Sequence, residues 1–178
     1  MRHLLITIAA VVLVGCGPSR DTKLNLIMAA EQGNVEFTLN LLTNGVPVNS
    51  MVGDGGEVLT ALMSASKWGH KEVADLLIAL GADVNIGKPT PLQNAARWGH
   101  KGIVELLITS GANLNKQNKA GLTPLDLAEL EYDEKANEYF TAKFGKHVDE
   151  IRADLKEIAD LLRKHGAKTA EELKAEGK

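Results

Sequence analysis

The sequence predicts an all-α solenoid of about four helix-pair repeats with short β-type fingers, the last repeat carrying an elongated helical hairpin. Two observations lead there. "TALMSASKWGHKEVADLLIALGADVN" (Thr60–Asn85) overlies "TPLQNAARWGHKGIVELLITSGANLN" (Thr90–Asn115) without a gap, at a period of 30. Within each copy, "VADLLIAL" and "IVELLITS" carry apolar residues at three-to-four spacing, closed by Gly81 and Gly111. A helix pair of that size cannot bury its apolar stripe alone, so successive copies must stack.

The chain opens differently. Arg2 and His3 precede an apolar run, "LLITIAAVVLV" (Leu4–Val14). Eleven residues make a helix of only about 16 Å, short of a bilayer core of about 30 Å. Residues 1–15 therefore read as a secretory signal, to be kept out of the fold. The run ends in Leu13-Val14-Gly15-Cys16, which resembles the lipobox of bacterial lipoproteins. That resemblance implies cleavage before Cys16, diacylglycerol on its thiol, and a tether over residues 16–21. Gly17 stands where an Asp typically holds lipoproteins at the inner membrane. In a Gram-negative cell the resemblance implies the outer membrane, facing the periplasm. Cys16 is the only cysteine, so an exported chain has no disulfide framework.

The repeats follow in order. "NLIMAAEQGNVEFTLNLLTNGVPVN" (Asn25–Asn49) is an earlier copy, and "GLTPLDLAE" begins a fourth at Gly121. Thr60, Thr90 and Thr123 stand where helices start and can cap free N–H groups. Pro91 and Pro124 suit the first helical position. Gly69 and Gly99 suit the left-handed residue that ends the first helix. A period in the thirties, with T-P-L, A-A, G-H, L-L and G-A-D-x-N at set offsets, is similar to ankyrin repeats. The resemblance covers a domain over residues 22–173, with repeats at about 22–56, 57–87, 88–120 and 121–168. "KTAEELKAEGK" adds a C-terminal cap and tail over 169–178, with Thr169 and Glu172 as a capping box.

Two irregularities stand out. The finger from Gly45 to Thr60 runs 15 positions and contains "SMVGDGGE"; the one from Gly81 to Thr90 runs 9. In repeat four, Thr123 to Gly166 spans 43 positions against 21 from Thr60 to Gly81. The insertion, about 132–153, is free of Pro and holds one Gly, Gly145. Stripes of Ala128, Tyr132, Ala136, Tyr139 and Phe140 and of Val148, Ile151, Leu155, Ile158 and Leu162 predict that both helices run on and turn at Gly145.

The only two tryptophans, Trp68 and Trp98, occupy equivalent positions, preceded by Lys67 and Arg97. The ankyrin resemblance puts these positions toward the concave face. Two readings stay open: packing over the glycine turn, or contact with a partner, for which Trp and Arg are favoured anchors. The candidate partner-binding set is Lys67, Trp68, Arg97 and Trp98, with Asp54 in the long finger and Phe140 and Phe144 in the insertion. His70 and His100 belong to the G-H turn and read as structural rather than metal-binding.

The net charge is −3, and removing residues 1–15 takes Arg2 and leaves −4. No basic stripe suits nucleic acid, and the acidic balance leans toward a basic partner. The sequence offers neither a catalytic constellation nor a cofactor or metal motif. The expectation is a monomeric, lipid-anchored protein-interaction module in the bacterial envelope, without cofactor or metal, holding a periplasmic protein partner. An inhibitor such as an immunity protein against a toxin is the alternative within that class. A purely structural lipoprotein and, more remotely, an enzyme are the competing classes.

Overall fold

A computed structural model describes residues 19–53, 58–130, 141–142 and 148–177. The segment 1–18 with Cys16, and Asp54, Tyr132, Ala136, Tyr139, Phe140, Phe144 and Gly145, lie outside the described residues. The principal helices are α1 (Arg20–Glu31), α2 (Val35–Thr43), α3 (Ala61–Trp68), α4 (Lys71–Ala79), α5 (Pro91–Arg97), α6 (Lys101–Thr109), α7 (Pro124–Ala128), α8 (Val148–Lys164) and α9 (Ala170–Ala175). Helices α1, α3, α5 and α7 lie side by side as an inner layer, and α2, α4, α6 and α8 form the outer one.

One core threads the stack. Leu26, Leu62, Leu77, Leu92, Leu107, Leu125, Ile158 and Leu162 are all but fully buried in it. Each such side chain contributes about 1.5–3 kcal/mol, so every repeat depends on its neighbours for most of its stability. Alanines Ala29, Ala65, Ala95 and Ala128, at the A-A positions, let the inner helices approach closely.

The helix starts follow their local chemistry. Thr60 Oγ1 accepts from Met63 N at 3.2 Å. Thr90 with Gln93, Thr123 with Asp126 and Thr169 with Glu172 form complete capping boxes, and Pro91 and Pro124 open their helices. Such a cap is worth about 1 kcal/mol. Asp126 also accepts from Ala170 N at 3.0 Å, which ties α9 to the fourth repeat.

Neighbouring repeats are joined along two seams. On the turn side, Gly69 ends α3 at φ +82°, a conformation that strains any residue with a Cβ. A Cβ there would also meet the His100 ring at 2.7 Å. His100 Nε2 lies 3.0 Å from the Lys67 carbonyl oxygen and His70 Nε2 lies 2.9 Å from that of Glu31. A carbonyl only accepts, so each imidazole donates through Nε2. The histidines are thus bolts between repeats. On the finger side, Asn49 Nδ2 donates to the Gly81 carbonyl while its Oδ1 accepts from Asp83 N. Asn85 repeats the pattern on Gly111 and Asn113, and Asn115 Oδ1 accepts from Lys168 N.

The fingers are less β-like than expected. Among the described residues the one β-bridge pairs Val52 with Leu59, antiparallel, across the long finger. The others are held by turns and side chains, as where Asn118 Oδ1 accepts from Ala120 N and Leu122 N.

Repeat four departs from expectation on one side. Helix α8 has 17 residues against 9 in α4 and α6, with Ile151, Leu155, Ile158 and Leu162 buried as the stripe predicts. Helix α7 does not run on: it stops at Ala128, with Glu129 as its cap. Glu129 Oε1 accepts from Arg163 Nε and a second guanidinium N–H of Arg163 on α8, at 3.1 and 2.8 Å. That charge-assisted pair holds the residue just past α7 against the facing helix. Elongation is seen in α8; most of the first arm of the expected hairpin, residues 131–140, lies outside the described residues, and Thr141 and Ala142 are helical.

Candidate functional site

The inner helices and the fingers enclose a groove of about 370 Å³ across repeats two to four. Its lining joins three levels of the fold. Met63 and Lys67 come from α3, and Gln93, Asn94 and Arg97 from α5, followed by Trp98. The fingers supply Val58, Leu59, Lys88, Pro89 and Asn118 to Ala120, and α7 supplies Leu127.

Each tryptophan carries its preceding cation. Lys67 Nζ lies 5.5 Å from the Trp68 ring centroid, and Arg97 Cζ lies 5.5 Å from that of Trp98. Cation–π contacts at such exposure are worth about 0.5–1 kcal/mol. They keep each ring partly covered, and both rings are half-buried. The helix ends differ: α3 is closed by Gly69 itself, whereas Trp98 is the closing residue of α5, one position before Gly99. Trp98 lines the groove and Trp68 does not.

The groove floor is rigid. Gln93 is buried and donates through Nε2 to the carbonyls of Lys116, at 2.6 Å, and Leu122, at 3.2 Å. Asn94 donates to the Met63 carbonyl at 3.4 Å, linking α5 to α3 under the lining. The His100 bolt ends on the Lys67 carbonyl, so the backbone that presents Lys67 is held by the next repeat.

Of the residues singled out in the sequence, the structure brings Lys67, Arg97 and Trp98 into one groove and leaves Trp68 beside it. Asp54, Phe140, Phe144 and Cys16 lie outside the described residues. Sequence reading missed Lys88, Lys119, Val58, Leu59 and Leu127. The two lysines were readable as finger residues shortly before the capping Thr90 and Thr123, but nothing in the repeat pattern says which finger residues turn inward.

Elsewhere the polar chemistry is structural. Lys101 and Glu157 pair at 2.7 Å between α6 and α8. The hydrogen bond from Lys101 holds the Glu157 carboxyl below its ordinary range. Thr169 N–H does the same for Glu172, helped by Arg163. No set of three or more His, Cys, Asp or Glu stands together as metal ligands among the described residues. None of their helices is long and apolar enough to cross a membrane. A larger cavity, about 690 Å³, lies between the end of α7 and α8, lined by Glu129, Arg152, Lys156 and Arg163 among others. The groove, not this cavity, is where Lys67, Arg97 and Trp98 come together.

Stacked helix pairs bolted turn to turn, with fingers over an inner helical layer, define a helical-repeat scaffold with a groove along its inner layer. Residues 7–88 match the family described as ankyrin repeats (3 copies), and residues 90–119 match the single ankyrin repeat. The chain belongs to the ankyrin-repeat family and is built as a protein-interaction module. Its match begins at residue 7, inside the stretch that reads as a signal, whereas α1 begins at Arg20. No curated protein is similar enough to match.

Proposed function

We propose that the chain is a lipid-anchored module of a bacterial envelope that holds a protein partner across its concave face, with Lys67, Trp68, Arg97 and Trp98 at the contact. The observation that carries this reading is the groove itself: Lys67, Arg97 and Trp98, from two successive repeats, converge on one lined surface. Half-buried tryptophans under cations are stiff and amphipathic, the qualities that make interface anchors. The anchor rests on the lipobox at Leu13 to Cys16 and on the short distance to α1.

Three residues separate Cys16 from α1 and reach at most about 14 Å when extended. A lipid on Cys16 would hold the first repeat against the membrane. The open end of the stack suits that seat. Met28 and Phe37 are exposed, although the residues in the same register one repeat on, Ser64 and Val73, are buried.

The test has two arms. Crosslinking in intact envelopes compares the wild type with a Trp68→Ala/Trp98→Ala variant that still folds. One protein recovered by the wild type and lost by the variant is expected, and equal recovery makes the tryptophans packing residues. For the anchor, Cys16→Ser is expected to abolish incorporation of labelled fatty acid and to release the chain from the membrane fraction. A wild type that takes up no label removes the anchor.

A further inference from the structure

We infer that the segment this groove accepts is an acidic peptide with an apolar residue among its carboxylates. The inference rests on the reading of the groove as a protein-binding site and specifies its chemistry. Four cations line the groove: Lys67, Lys88, Arg97 and Lys119. They come from α3, α5 and the two fingers that follow α4 and α6, so the fold gathers them from well-separated stretches of chain. No Asp or Glu is among its described lining residues.

The charged side chains of the described lining are all positive, whereas the whole chain carries −3. A segment lying in the groove meets the near charges, because those farther away than about 10 Å are screened at ordinary ionic strength. Composition alone therefore points to the wrong kind of partner.

The rest of the lining says what else the segment carries. Val58 and Leu59 are 36% and 48% exposed at the mouth. Met63, Leu127 and the Trp98 ring continue the apolar surface. Cations around an apolar floor match carboxylates flanking an apolar side chain. A nucleic acid fits less well: its charge is unbroken, the apolar floor would face phosphates, and the acidic body would repel the rest of the polymer.

The experiment is selection from a displayed random-peptide library on the folded full chain. Recovered peptides are then rebound by anisotropy to the wild type, to Lys88→Gln/Arg97→Gln/Lys119→Gln, and to Trp98→Ala. Circular dichroism confirms that each variant folds. We expect sequences enriched in Asp and Glu around Leu, Ile or Phe. Their affinity should fall about tenfold or more in the triple variant, since each exposed pair is weak but three add, and should weaken further at high salt.

Recovery of neutral or basic peptides that depend on Trp98 overturns the acidic class and leaves the groove as the binding site. Acidic peptides indifferent to both variants overturn the inference and the groove together, as does the absence of any enriched sequence. Single-stranded DNA that binds the wild type more tightly than the best peptide replaces the inference with nucleic-acid binding.

Discussion

The first two junctions of the stack and the last one solve one packing problem with different parts. Between repeats one and two, the His70 ring covers Gly33 and donates to the Glu31 carbonyl; His100 covers Gly69 and donates to Lys67. At the last junction the register of "KEIADLLRKHGA" on "KEVADLLIALGA" puts Leu155 where His70 stands. There the elongated α8 runs past Gly99, with Asp154 Cβ at 3.4 Å and Ile151 Cγ2 at 3.8 Å from the place a Cβ would take. On the finger seam one bond recurs, since Oδ1 of Asn49, Asn85 and Asn115 accepts a backbone N–H at all three junctions. An insertion between the two helices of repeat four thus replaced the bolt on the turn side and left that bond on the other side in place. Nearest-neighbour stacking makes that possible, because a change at one interface does not propagate.

The largest expected effect tests whether α8 does at the last junction what the imidazoles do at the others. Ile151 is 1% exposed and lies against the Gly99 turn. We predict that Ile151→Ala costs about 3–4 kcal/mol, through lost burial and an unfilled cavity, measured by urea unfolding. A loss below about 1 kcal/mol would mean that this end of α8 is not part of the junction.

Next comes Gly69→Ala. A left-handed alanine costs about 1–2 kcal/mol, and displacing the His100 ring removes a hydrogen bond worth about 1 kcal/mol. We expect about 2–3 kcal/mol in all. Gly99→Ala is left-handed too, at φ +76°, but meets ordinary contacts and should cost only about 1–2 kcal/mol. Thermal melts that rank the two equally would erase the distinction between junctions.

On the finger seam, Asn85→Ala removes one bond to the Gly111 carbonyl and one from Asn113 N–H, at 3.3 and 2.7 Å. Water reaches this surface, so we expect about 1 kcal/mol. Hydrogen exchange at Asn113 should accelerate; an unchanged rate would show that the seam holds without this side chain.

The smallest effect concerns acid. The folded-state pKa of Glu157 is lowered by Lys101, so the pair stabilises above the unfolded carboxyl pKa of about 4.3. That contribution is lost as pH falls through the folded value. Both side chains are about half exposed, which keeps the effect small and salt-sensitive. Lys101→Met should flatten the acid limb of the stability profile slightly, at low salt only. Identical profiles in both salts would remove the pair from the account.

Much of the fold was legible because its determinants are local and periodic. Thr caps, Pro at helix starts and Gly at helix ends act through adjacent backbone, so their spacing reads directly as helices. The inner layer follows from the three-to-four stripe that each repeat must bury. The end of α7 was not legible: "AELEYDE" contains no breaker, and Glu129 is held by Arg163, 34 positions on. Trp68 and Trp98 show the same limit. They are equivalent in sequence, yet their helices close one residue apart and only Trp98 lines the groove.

The sequence by itself determined the repeat, the helix starts marked by Thr and Pro, and the residues that bury, since each depends on interactions a few positions apart. Tertiary structure decided the groove. Lys67 and Arg97 are matched by the period of 30, but no periodic signal brings the finger residues Lys88 and Lys119 to them. Stacking brings them to one surface because each repeat places its finger over the inner helices beside it. The physical reason is range: caps and stripes act over one turn of chain, whereas a site's charge is summed over whatever the fold makes adjacent.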